Sequence, residues 1–191
     1  MSSLRADFDE LRERIRHGRD LGHAGFEPIY YLIFHPKDIL AVKRQTPAWI
    51  AKLHQDGWEV HTFSLAEHIW SLLKADPFWS LCVQEDQSAP LNWPRTNQAL
   101  TDILMAENAL LHRLEDALQP LMGQPNALLL VTDLEALHPF LRIGTLESQL
   151  QSQINVTTIL LYPGVRTGMT RLKFLRFYPE DGNYRSVHVG G

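Results

Sequence analysis

Two hydrophobic rhythms take turns along the chain. Unbroken apolar runs occur at residues 29–34 (Ile–Tyr–Tyr–Leu–Ile–Phe), 127–131 (Ala–Leu–Leu–Leu–Val) and 157–162 (Thr–Thr–Ile–Leu–Leu–Tyr). None has the in/out alternation of a half-wet sheet, so they predict strands covered on both faces, as parallel strands under helices are. Between and before them, apolar residues recur every three or four positions. Leu4, Phe8, Leu11 and Ile15 predict an amphipathic helix over residues 1–18. Its acids Asp7, Asp9 and Glu10 come early and Arg14, Arg16 and His17 late, the order the helix dipole favours. Gly18 is its expected stop, and its apolar stripe is expected to pack on its own domain rather than on another protein. Residues 39–56 predict a second helix, with Pro47 a candidate break and Trp49, Ile50 and Leu53 inward. A strand is expected at 58–63. Ser64 with Glu67 makes a capping box for a helix through Lys74.

After Asp76–Pro77, the residues Phe78, Trp79, Leu81 and Val83 predict a short buried helix. Residues 84–95, with Pro90 and Pro94, are expected to form a loop and are the best candidate for a mobile segment. Leu100, Ile103, Leu104, Leu110, Leu111, Leu114, Leu118 and Leu121 keep one face of a long helix apolar over 97–121, interrupted by Glu107. The stretch 126–164 then reads strand, turn, helix, strand. Leu141, Ile143, Leu146, Leu150 and Ile154 give a crossover helix at 140–154 one apolar stripe, and such a βαβ unit should be right-handed. Residues 172–178 and 184–189, joined through Pro–Glu–Asp–Gly–Asn, predict a terminal β-hairpin. The sum is one α/β domain over residues 1–191, with a mostly parallel sheet of about four to six strands flanked by helices and the C-terminal β-hairpin at the edge. No internal repeat or interdomain linker interrupts it.

Composition narrows this picture modestly. The chain has 191 residues, 45% of them hydrophobic and 21% charged, which is ordinary for a globular protein. A net charge of -4 offers no general attraction to nucleic acid or anionic membrane. Arg166, Arg171, Lys173, Arg176 and Arg185 crowd the last stretch against Glu180 and Asp181, which reads as a solvated surface ahead of a nucleic-acid patch. The single cysteine, Cys82, leaves no intrachain disulfide framework. No apolar run approaches the roughly 20 residues of a membrane span, and no signal-peptide core opens the sequence. A cytoplasmic protein is the expectation.

Loops beyond the carboxyl ends of parallel strands are where α/β proteins keep their sites, which singles out Asp133, His138, Arg142, Tyr162 and Gly164. Around the first strand, however, no glycine falls between Glu27 and Asp56, so Lys37 has no phosphate-cradling loop and a Walker-type site is rejected. None of the nine histidines has helical His–Glu–x–x–His spacing. His35, Asp133 and His138 would make a ligand set only if their strands were neighbours. No Gly–x–Ser–x–Gly elbow is present. Arg142 lies where a cation opposes the helix dipole, at a cost of about 0.3–1 kcal/mol. It is therefore expected to pair with Asp133 or Glu135, capture of an anionic ligand being the alternative. Tyr162–Pro–Gly is expected to form a rigid strand exit, the glycine taking a backbone angle other residues resist. Residues 183–185 (Asn–Tyr–Arg) start the last strand with an aromatic and an arginine suited to contacts.

These residues carry a resemblance. The ordered segments 130–133 (Leu–Val–Thr–Asp), 138–142 (His–Pro–Phe–Leu–Arg), 146–150 (Leu–Glu–Ser–Gln–Leu), 161–164 (Leu–Tyr–Pro–Gly), 172–175 (Leu–Lys–Phe–Leu) and 182–185 (Gly–Asn–Tyr–Arg) resemble the BrxB family of BREX phage-defence systems. That pattern runs through a Thr- and Gly-containing turn after an apolar strand, Pro–x–x–Arg, a Leu-rich helix, Tyr–Pro–Gly, and a closing Asn–Tyr–Tyr–Arg-like strand. Asp133 departs from it, standing where glycine is expected, and so does Arg185, which follows one tyrosine rather than two. The resemblance implies a small protein without established catalysis or cofactor. It would meet the alkaline-phosphatase-like PglZ protein and the BrxC ATPase through contact candidates Asp133, His138, Pro139, Arg142, Tyr162, Gly164, Tyr184 and Arg185. Two other readings stay open. One is an enzyme or ligand-binding domain using Asp133, Arg142 and His35 or His138. The other, more distant, is direct DNA binding through the terminal arginines.

Overall fold

Three apolar runs become the middle of a sheet. The computed structural model describes residues 3–20, 28–144, 156–168, 171–182 and 186–191. Strand β1 (Ile29–Phe34) is buried at every position, β3 (Ala127–Thr132) at all but its last, and β4 (Thr157–Arg166) over its first eight. Because both faces are apolar, helices cover both. On one side Tyr30, Leu32 and Phe34 of β1, with Leu128, Leu130, Ile159 and Leu161, meet helices α1 (Leu4–Asp20) and α2 (Ile39–Gln55). The alternate residues Ile29, Tyr31 and Ile33, with Leu129, Val131, Leu160 and Tyr162, face α3 (Leu65–Ala75), α5 (Trp93–Met105) and α6 (Ala109–Leu118). Strands β2 (Glu59–Ser64) and β7 (Val187–Gly190) complete a parallel order β2-β3-β4-β1-β7 among the described residues. The mostly parallel α/β fold read from the sequence is the fold observed.

The first helix packs at home. Phe8, Leu11 and Ile15 are buried, Phe8 stacks on Trp49 of α2 at 4.7 Å, and Arg12 grips Asp56 through two 2.7 Å hydrogen bonds. Gly18 does not stop the helix, which continues to Asp20. A side chain at that position would collide with the Tyr30 hydroxyl, so the glycine supplies room. Pro47 leaves α2 unbroken. The capping box forms as expected at its serine, with Ser64 Oγ accepting the Glu67 N–H at 3.2 Å.

Several expectations change. Helix α4 (Trp79–Ser88) is not buried: Phe78 and Leu81 are largely exposed, and Trp79 leans edge-on against Trp70 of α3. Since α4 runs to Ser88 and α5 begins at Trp93, the loop read over 84–95 shrinks to a few residues. Arg95 pairs with Glu85 across it at 3.1 Å. The long helix breaks where Glu107 interrupts its apolar face, because Glu107 and Asn108 both take left-handed angles (φ 51° and 56°). The crossover helix expected at 140–154 lies mostly outside the described residues.

Strand β4 does not exit at Tyr162. It continues through Pro163 and Gly164, exchanging a parallel ladder with β1 for an antiparallel one with β5 (Arg171–Phe174). Gly164 keeps an ordinary backbone angle, contrary to expectation. Its smallness serves the ladder instead, since a Cβ would stand 2.6 Å from the Lys173 carbonyl and strike the Tyr162 ring. The terminal hairpin is also paired differently. β5 joins β4 and the two-residue β6 (Asp181–Gly182), whereas β7 adds in parallel to β1 at the sheet edge. The extension of β4 offers β5 a nearby partner, and Leu175 and Arg176 (φ 50° and 68°) end β5 before it can run on to Tyr178. No helix of the described residues is long and apolar enough to cross a membrane.

Candidate functional site

The carboxyl ends of β2 and β3 lie side by side, with Ser64 opposite Thr132. One residue on, Asp133 adopts a left-handed backbone (φ 59°, ψ 38°), which turns its carboxylate back over the strand ends. It accepts hydrogen bonds from Ser64 Oγ (2.6 Å) and Thr132 Oγ1 (2.9 Å) and meets Lys43 Nζ of α2 at 2.6 Å. Lys43 also reaches Glu135 at 2.8 Å. Burial by itself would push the Asp133 pKa up. The hydrogen bonds from Lys43, Ser64 and Thr132, with the Lys43 charge, outweigh that and hold it below the usual carboxylate value. The Lys43 pKa moves reciprocally: burial lowers it, but the two carboxylates raise it further. Beneath this network lies a cavity of about 20 Å³ lined by Phe34, Val42, Thr132 and Leu161 among others. That is room for about one water molecule, not a nucleotide.

Lys43, not Arg142, is therefore the cation for Asp133 and Glu135. Arg142 turns instead toward Tyr178, its Cζ 5.9 Å from the ring centre. His138, joined to Pro139 by a cis peptide, presents its ring edge-on to Phe177 (5.1 Å) and Tyr178 (5.5 Å), with Nδ1 hydrogen-bonded to the Tyr178 hydroxyl. The left-handed pair Leu175–Arg176 turns the chain so that Phe177 is 61% exposed. It also brings Arg176 Nη1 to 2.7 Å from Nε2 of His35, the residue that follows β1. Burial raises the Tyr178 phenol pKa, with the Arg142 charge opposing. The result is a cluster of His138, exposed Phe177 and Tyr178 with Arg142 over the Tyr178 ring and Arg176 on His35, built from the 138–142 turn and the 175–178 turn.

Of the residues singled out from sequence, His138, Pro139 and Arg142 come together here, while Asp133 belongs to the separate ion network. Tyr162 is 0% exposed and packs edge-on against Tyr31 at 5.5 Å, and Gly164 is also buried, so neither offers surface to a partner. Tyr184 and Arg185 lie outside the described residues. Among the described residues, no group of three His, Cys, Asp or Glu is placed to hold a metal, and His35, Asp133 and His138 do not form one. Sequence reasoning missed Lys43, Arg176, Phe177 and Tyr178. Arg176 belonged to a noted basic cluster, but its turn looked like uninterrupted strand.

The order β2-β3-β4-β1-β7, with helices on both faces, defines a doubly wound α/β protein whose irregular segments gather at the carboxyl rim. A family model described as BREX protein BrxB matches residues 61–189. The chain thus belongs to the BrxB family of BREX phage-defence systems. No curated protein and no solved structure matches it. Asp133, which departs from the glycine of the resembling turn, has the left-handed backbone that glycine adopts at no steric cost. Aspartate is one of the few other residues that visit it readily.

Proposed function

We propose that this protein is a noncatalytic adaptor of a BREX defence assembly, meeting PglZ and BrxC through the surface formed by His138, Arg142, Arg176 and Phe177. The observation that carries the reading is the contrast in how the rim side chains are used. The Asp133 carboxylate is consumed by three donors from its own chain, and the cavity under it holds about 20 Å³. The Phe177 ring, by contrast, stands exposed beside His138 and Tyr178, with the Arg142 guanidinium over the Tyr178 ring. Aromatic residues and arginine are the side chains enriched where interfaces concentrate their binding energy. Tyr184 and Arg185 extend the candidate contact set from the sequence.

Affinity purification of the tagged protein from cells expressing the whole BREX operon tests this. PglZ and BrxC should co-purify with the wild type, and Phe177→Ala with Arg142→Glu should lose them and phage protection while melting at the wild-type temperature. A folded double variant that retains both partners removes this surface from the proposal. A wild type that purifies alone removes the adaptor role.

A further inference from the structure

Strand β2 forms one end of the sheet, and its outer side is bare. The Glu59 N–H donates to the Asn126 carbonyl at 2.8 Å, so the backbone groups of Glu59, His61 and Phe63 point to β3. Backbone direction alternates along a strand, so the groups of Val60 and Thr62 point away from β3. Among the described residues no backbone hydrogen bond reaches them, and no strand pairs on that side. Thr62 is exposed and Val60 half-buried. A row of unpaired N–H and C=O groups is a template for another strand.

Natural sheets blunt such an edge by shortening it, bulging it, or studding it with proline and charge. At the opposite edge, β7 has four residues. β2 has six, none of them proline or lysine, and matches β3 one to one without a bulge. Its single acid, Glu59, stands at the start, 3.5 Å from His61 Nε2. In an antiparallel pair of two β2 strands centred on His61, Val60 of each copy faces Thr62 of the other, and each bare group finds a partner. Glu59 then falls opposite Phe63 and diagonal to His61 of the other copy, so the two acids lie apart, each beside an imidazole. Only His61 meets its own kind, on the axis.

We propose that β2 is a pairing edge for a second copy of this chain, joining two sheets into one through an antiparallel β2–β2 ladder about a twofold axis at His61. The pairing does not rest on the adaptor reading, and its test needs no other BREX protein.

Sedimentation velocity of the full chain over a concentration series at about pH 8, where an ordinary histidine is neutral, provides the test. The wild type should form a concentration-dependent dimer, and amide hydrogen exchange at Val60 and Thr62 should slow in step with it. His61→Glu and His61→Lys each set like charges opposite one another on the axis, so each should weaken self-association about fivefold. An equal mixture of the two should associate more tightly than either alone. Thr62→Pro, which replaces an outward N–H with a ring, should leave a monomer. The proposal is overturned if the wild type is still a monomer at about 0.1 mM, where a micromolar dimer is mostly formed. It is equally overturned if a dimer forms while the Val60 and Thr62 amides exchange as fast as in the monomer, if the His61 variants and their mixture dimerise alike, or if folded Thr62→Pro dimerises like the wild type. The exchange readout uses the unaltered chain, so it decides the matter even where a variant fails to fold.

Discussion

Two corners of one carboxyl rim, supplied in part by the same stretch from Thr132 to Arg142, treat their polar groups in opposite ways. At the Asp133 corner every charge is answered from within: Lys43 from α2 bridges Asp133 and Glu135, and Ser64 bonds Asp133 while capping α3. Four elements are tied together, and little is left to offer a visitor. At the Phe177 corner the rings of His138, Phe177 and Tyr178 lean on one another, while Arg142 and Arg176 border them from exposed positions. The difference separates residues that hold the fold from residues available to a partner. Position at a strand end does not make that distinction.

Protonation should produce the largest separation. Asp133 has a depressed pKa, so its stabilising contribution is present above the unfolded value near 4 and is lost only as pH falls through the lower folded value. The Asp133 corner is therefore level between pH 7 and pH 4. His188, against Tyr31 on the other side of β1, behaves differently: its folded pKa of about 4 lies below the unfolded value, so the unfolded chain binds the extra proton in that window. Stability should fall by roughly 2–3 kcal/mol from pH 7 to pH 4 on this account alone. Urea denaturation across that range should show the slope in the wild type and in Lys43→Ala, and a much flatter profile in His188→Gln. A slope that survives His188→Gln and vanishes in Lys43→Ala would reverse the assignment.

Next in size is the ion network itself. Lys43→Ala leaves Asp133 and Glu135 facing each other without their cation. Breaking a fully buried pair this way costs about 3–5 kcal/mol, but the Lys43 side chain is 48% exposed, so solvent screening reduces the effect. A loss of about 1–2 kcal/mol in chemical denaturation is expected, with Lys43→Arg recovering part of it. No loss would mean the network is a surface ornament, and the contrast between the corners would disappear.

How much of this was legible without coordinates follows from distance along the chain. The covered strands at 29–34, 127–131 and 157–162 announce a parallel core because burial on both faces is written in adjacent residues, and the Ser64–Glu67 cap is equally local. Lys43 and Asp133 are ninety positions apart, and nothing near either one names the other. The hairpin expectation failed for a related reason. A reversal was expected at 179–183, but the chain turns earlier, over 175–180, and Asp181–Gly182 already pair back on β5, while β5 itself pairs with the part of β4 that runs past β1. Glu107 was visible as a flaw in an apolar stripe, yet the stripe alone could not say that the helix ends there. Asp133 drew attention as a non-glycine in a glycine position, and the left-handed backbone is the physical content of that signal.

Asp133→Gly should have a smaller effect than Lys43→Ala, because two contributions oppose each other. Glycine removes the cost of a left-handed residue with a Cβ, roughly 1 kcal/mol, but adds unfolded-chain freedom of about 0.5–1 kcal/mol. It also deprives Ser64 and Thr132 of their acceptor, while relieving Lys43 of one of two acids. A net loss of about 1 kcal/mol or less is expected by urea melts. Asp133→Ala should cost more, since it loses the same bonds without gaining the backbone ease. If alanine proves the milder change, the left-handed backbone is not what the position demands.

The smallest change in stability should come from the open corner. Phe177 has most of its surface in water, so truncating it removes an edge contact with His138, a tilted ring contact with Tyr178 and little buried area. Arg142 faces Tyr178 across 5.9 Å, a distance at which an exposed cation–π contact contributes about 0.5 kcal/mol. Phe177→Ala and Arg142→Ala are thus expected to shift unfolding by no more than about 0.5 kcal/mol each. The turn is held instead by the hydrogen bonds Leu175 N–H to Pro163 and Tyr178 N–H to Phe174, together with the His138–Tyr178 bond. Tyr178→Phe, which keeps the ring and deletes that last bond, should therefore destabilise at least as much as removing the whole Phe177 ring. A Phe177→Ala variant that unfolds far more readily than Tyr178→Phe would show that the exposed ring is structural, and the two corners would no longer differ in kind.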